Sequence, residues 1–232
     1  MVYSVRWIGF GLSHSLARTV VHFFPSSNVV TAPYPVNTKI QVFSTGAGDH
    51  SVILEGARLH QPDGVRMEAA FPTLAQGTGT YAVLVEITGT SQRIDLTASQ
   101  CIVEIVTANG KIRYRPTEVS SKATSENPIS AITYSDAFVK SSLVFVNTSH
   151  KALEVSGLDS QTYVIAASGV TECPLSANFF DSGVSYQSER DVHYSAPIKL
   201  PPNVCNSEIT TFLMERDVST DRVIGINQIN FT

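Results

Sequence analysis

Ile40-Gln41-Val42-Phe43, the polar segment Ser44 to His50, and Ser51-Val52-Ile53-Leu54-Glu55 form the stretch on which the fold turns. Two β-branched runs flank a segment of Ser, Thr, Gly and Asp, the pattern of an antiparallel hairpin. The pattern recurs as Ala82 to Ile87, Thr88 to Gln92 and Arg93 to Thr97. It returns as Leu143 to Val146, Asn147 to Lys151 and Ala152 to Val155. All three passages are therefore expected to be hairpins. Ala108-Asn109-Gly110 adds a tight turn between Gln100 to Thr107 and Lys111 to Arg115, since Asn-Gly suits the positive dihedrals of a short hairpin loop.

Working outward, residues 1 to 12 read as a strand broken at Gly9-Phe10-Gly11. Leu16 to Phe24 has apolar residues at helical spacing, yet Thr19-Val20-Val21-His22-Phe23-Phe24 is dense in strand formers and ends at Pro25, which favours a strand. Pro62-Asp63-Gly64 signals a turn, and Phe71 to Thr80 reads as a Gly/Thr loop. The chain has 232 residues, of which 43% are hydrophobic and only 16% charged. That supports a real core, with Ser and Thr supplying the polarity of half-exposed sheet surfaces.

Between Pro116 and Ser130 the strand periodicity disappears. A stretch of that length without pattern marks a linker or a crossover. The expected architecture is all-β, with two tandem antiparallel β-sandwich-like modules at 1–115 and 131–232 joined by 116–130; one large jelly-roll sandwich is the alternative. The likeness of Val42-Phe43…His50…Leu54-Glu55-Gly56 to Val144-Phe145…His150…Leu153-Glu154 is compatible with duplication or with chance.

The formal net charge is -4. Lys111, Arg113 and Arg115 are the only cationic run, too few for the multiple phosphate contacts that nucleic acid requires, and they read as a solvated strand face or edge. Nucleic acid is not expected as a partner. Three cysteines, Cys101, Cys173 and Cys205, do not form a disulfide framework, and Cys101 opens an apolar run that reads as core. No basic leader and no apolar stretch of membrane-spanning length is present, which leaves the compartment open and favours the cytoplasm over export by another route or a leader absent from this sequence.

Catalytic patterns are sparse. Gly-x-Ser-x-Gly and the phosphate-loop signature are absent. Asp191 and His193 stand two apart, the spacing of one strand face, and could bind a metal with His60 or His22 as a third ligand. Trp7, Tyr186 and Tyr194 are candidate stacking rings for a carbohydrate, although Trp7 equally suits a core anchor. The resulting expectation is a non-enzymatic binding or structural protein that contacts another protein or itself, without a cofactor. A carbohydrate-binding domain and a metal-dependent β-barrel enzyme are the alternatives.

Overall fold

The computed structural model describes residues 4–13, 17–24, 36–44, 48–55, 63–76, 79–91, 94–108, 110–119, 129–135, 139–158, 161–175, 184–187, 192–199 and 208–229. The chain is all-β and sandwich-like, built from several antiparallel sheets. It divides into two compact units, Met1–Ser120 and Ser121–Thr232.

The strands of the first unit are β1 (Ser4–Ser13), β2 (Ala17–Phe24), β3 (Val36–Ser44), β4 (Gly48–Glu55), β5 (Val65–Arg66), β6 (Gly79–Gly89), β7 (Gln100–Thr107), β8 (Gly110–Tyr114) and β9 (Thr117–Glu118). A short helix α1 (Met67–Ala70) and a 3-10 turn (Pro72–Gln76) lie between β5 and β6. One sheet has the order β4-β3-β6-β1-β9 and the other β5-β2-β7-β8. Val5 and Trp7 of β1, Ile40 and Val42 of β3, and Val83 and Val85 of β6 pack in one cluster with Val21 and Phe23 of β2 and Cys101 of β7. Side chains two apart share a face, so alternate residues of each sheet build the common core. Met67, Phe71 and Leu74 close it from the helical segment. Each such large side chain contributes about 1.5–3 kcal/mol on burial.

The strands of the second unit are β10 (Ile129–Ser135), β11 (Val139–Asn147), β12 (Leu153–Leu158), β13 (Gln161–Ile165), β14 (Gly169–Pro174), β15 (Val184–Gln187), β16 (Val192–Lys199), β17 (Ile209–Asp217) and β18 (Val223–Gln228). They form sheets ordered β14-β11-β17-β18, β10-β16-β15 and β12-β13. Every residue of β11 from Ser141 to Asn147 is buried, so this central strand is covered on both faces. A continuous apolar run such as Leu143-Val144-Phe145-Val146 is the expected sequence of such a strand.

The first expected hairpin forms: β3 and β4 pair from Asn37↔Glu55 to Ser44↔Gly48. So does the Asn-Gly hairpin, with β7 and β8 paired from Val103↔Tyr114 to Thr107↔Gly110. The other two expected hairpins do not form. β6 lies between β1 and β3, and Ile94 and Leu96 enter the core from an irregular segment instead of pairing back. There Asp95 Oδ1 accepts hydrogen bonds from the Thr97 amide and hydroxyl, which turns the chain away. Likewise β11 pairs with β14 and β17, while β12 pairs with β13. Asn147 explains this exit. Its Nδ2 donates to the Lys151 and Ala166 carbonyls, and its Oδ1 accepts from the Ser149 amide and hydroxyl.

Gly9 and Gly11 do not interrupt β1, which keeps register with β6 from Ser4↔Thr88 to Ser13↔Gly79. They leave room for tyrosines. A Cβ on Gly9 would lie 2.9 Å from the Tyr114 hydroxyl, and one on Gly11 would lie 2.6 Å from Tyr81 Cε2. Tyr114 uses that space to accept from the Phe10 amide at 2.7 Å and to donate to the Phe10 carbonyl at 2.5 Å. The expected loop from Phe71 to Thr80 contains the 3-10 turn, held in place by the burial of Phe71 and Leu74. Thr117–Glu118 joins the first unit by pairing with β1, so the aperiodic segment starts inside a sheet.

Candidate functional site

Val21 and Phe23 of β2 point into the core, so Arg18, Val20 and His22 project from the opposite face of the sheet. Register builds a grid on that face. Val20 stands opposite Arg66 of β5 and Glu104 of β7, and Glu104 stands opposite Arg113 of β8. One step along the sheet, Arg18 pairs with Val106, which pairs with Lys111. Arg18, Val20, His22, Asp63, Arg66, Glu104, Val106, Lys111 and Arg113 line a groove of about 330 Å³. Its lining holds two more cationic side chains than carboxylates.

Glu104 organises one side of this groove. Its side chain is 4% exposed, and it receives Arg113 Nε at 2.6 Å and Lys111 Nζ at 3.2 Å. Burial alone would push the carboxyl upward, but hydrogen bonds and charge from Arg113 and Lys111 outweigh it and hold the carboxyl below its ordinary value. Glu104 is therefore an anion at neutral pH that neutralises part of the charge on β8.

The other side holds one carboxylate, the exposed Asp63 at the β5 turn. Arg18 and Arg66 are exposed and make no ion pair with a described residue. Apolar Val20 separates them from Glu104 by one strand position, since β2 lies between β5 and β7. The β5 turn closes that end. Gly64 has φ +68°, and a Cβ there would meet His22 Nδ1 at 2.7 Å and Val20 Cγ1 at 2.8 Å. Glycine is required both by that dihedral and by that approach. His22 Nε2 is buried and has no hydrogen-bond partner among the described residues.

The second unit has a groove of about 390 Å³ of different character. Lys140 pairs with Asp221 at 3.5 Å and Arg216 with Glu172 at 3.4 Å, so its charges satisfy one another.

Of the sequence candidates, Trp7 belongs to the first unit and Tyr186, Tyr194 and His193 to the second. Trp7 is 4% exposed and sits in the first unit's core cluster. Tyr186 and Tyr194 lie on β15 and β16, where Tyr186 stands opposite His193 and Tyr194 opposite Ser185 and Tyr134. Asp191 and His60 fall outside the described residues. Among the described residues no group of three or more His, Cys, Asp and Glu side chains could hold a metal ion. No helix among them is long and apolar enough to cross a membrane. Arg18, Arg66 and Glu104 were not singled out by sequence reasoning. Glu104 had a partial signal: it is the lone carboxylate of an apolar run facing a strand with Lys111, Arg113 and Arg115 on one face, but an Asn109-Gly110 loop would have set it opposite Arg115, whereas the observed register sets it opposite Arg113.

Fold and groove together define an all-β, sandwich-like protein with a cationic sheet face. No family model, no curated protein and no solved structure matches the chain.

Proposed function

We propose that the chain is a non-enzymatic binding or structural protein that acts through protein–protein contact, with a second copy of itself as partner. The reading is carried by one observation: a chain of net charge -4 bears a groove whose lining has an excess of cations. Surfaces of opposite sign on one molecule attract when copies meet, and such complementarity favours encounter and register. The face is a sheet, a rigid platform whose side-chain positions are set by cross-strand register rather than by a loop.

Light scattering on the purified chain tests this. At low salt the mass should exceed that of one 25.1 kDa chain, and it should fall toward one chain as salt screens the contact. A single-chain mass at every concentration and salt level would contradict the reading. So would stoichiometric metal bound to a strictly monomeric protein.

A further inference from the structure

We infer that Arg18 and Arg66, on the sheet face formed by β5, β2, β7 and β8, form a carboxylate-binding subsite that receives an acidic side chain of a second copy. The inference rests on the reading of that face as a contact surface and assigns the chemistry of the contact. Lys111 and Arg113 already share the carboxylate of Glu104 at 3.2 and 2.6 Å. Arg18 and Arg66 share their side of the groove with the exposed Asp63, and form no ion pair with it or with any other described residue. They flank Val20, which is 7% exposed, with Arg66 opposite Val20 on β5 and Arg18 two residues along β2. Val20 supplies an apolar floor, which limits access of water to a bound carboxylate and strengthens its hydrogen bonds.

The residue types narrow the ligand. Guanidinium groups match the planar geometry of carboxylates, often with two parallel hydrogen bonds. At about 330 Å³ the groove lies at the small end of ligand pockets. That volume suits a few side chains rather than a polymer, and the surplus of two cations is far below what nucleic acid uses. His22 adds an independent sign of an incomplete site: it lines the groove, and its buried Nε2 has no hydrogen-bond partner among the described residues. Buried polar atoms are seldom left that way. Because the chain carries more Asp and Glu than Lys and Arg, a second copy offers the required groups in excess.

Fluorescein-labelled acetyl-hexaglutamate, titrated into the full chain at low salt and followed by anisotropy, tests the assignment. Saturable binding is expected, displaced by unlabelled hexaglutamate but not by hexaglutamine. Arg18→Gln with Arg66→Gln should weaken it by about tenfold or more, because losing a hydrogen bond to a charged group costs about 1.5–3 kcal/mol. Lys111→Gln, which leaves Glu104 bonded to Arg113, should weaken it by less than about threefold, as for an exposed ion pair. Both Arg18 and Arg66 are exposed, so the paired variant should retain the wild-type urea midpoint.

Absent binding would overturn the subsite, and so would equal affinity in wild type and the paired variant. Displacement by inorganic phosphate at the same concentration as the peptide would overturn the acidic-peptide assignment. A chain that multimerises by light scattering yet ignores hexaglutamate loses only this inference. One that is also monomeric loses the broader reading as well.

Discussion

Replacing Glu104 by glutamine should destabilise the first unit by an amount that depends on pH. The side chain is 4% exposed and accepts from Arg113 Nε at 2.6 Å and Lys111 Nζ at 3.2 Å. Two charge-assisted hydrogen bonds in a dry setting would be worth several kcal/mol, but both cations are more than half exposed and solvent screens them. The discounted cost is about 2 kcal/mol. Trp7 is the only tryptophan, and it is buried in the first unit's core. Its fluorescence during urea unfolding therefore reports that unit. With a urea dependence of about 2 kcal/mol per molar, the midpoint should fall by about 1 M at pH 7.

The folded carboxyl of Glu104 lies below its ordinary value of 4.5. Its ionic stabilisation is thus fully present above that value and is lost as pH falls through the folded one. Wild type and Glu104→Gln should converge as the medium is acidified. Equal midpoints at pH 7 would refute the reasoning, as would a difference that persists unchanged below the folded value.

Gly11→Ala should destabilise the first unit by about 1–3 kcal/mol, the usual cost of overpacking a core, because the new Cβ would press on the Tyr81 ring. Tyr81→Leu in the same chain should recover part of that loss in a Trp7-monitored urea titration. In the second unit, hydrogen bonds from Ser219 and Thr220 hold the Asp217 carboxyl down to about 2 from 3.8. Its contribution is present above the ordinary value and is lost as pH falls toward about 2. Asp217→Ala should accordingly speed amide exchange at Ser219 and Thr220 at pH 6, and matched wild-type and variant rates there would contradict the turn. Burial raises the Cys101 thiol, and burial followed by the charge of Glu172 pushes the Cys173 thiol up to about 12. A Cys205→Ser chain should therefore react with Ellman's reagent only on unfolding; rapid native labelling would refute this.

Strand content was legible in the sequence, and strand partners were legible only where a short turn enforced them. The Asn-Gly hairpin could be read as a strand pair but not in its register: an Asn109-Gly110 loop implies Ala108 opposite Lys111, whereas Thr107 stands opposite Gly110 and Glu104 opposite Arg113. The passages around Leu84 and Val144 carry the same β-branched texture, yet their partners are strands distant in sequence. Alternation specifies which face is buried and leaves the neighbouring strand open. Asp95 and Asn147 decide the two exits through side-chain hydrogen bonds to nearby backbone groups, a local competition with strand pairing. Gly9 and Gly11 read as a break because their purpose lies in Tyr114 and Tyr81, which are 105 and 70 positions further along the chain, respectively. Arg18 and Arg66 were illegible for the same reason: two non-local pairings of β2 bring them to one face.

Light scattering of wild type beside an Arg18→Glu and Arg66→Glu chain, in one low-salt buffer, tests the central claim most directly. A cationic contact face predicts a multimer for wild type and a single-chain mass for the variant, with the Trp7-monitored urea midpoint unchanged. Identical masses for the two chains would contradict it.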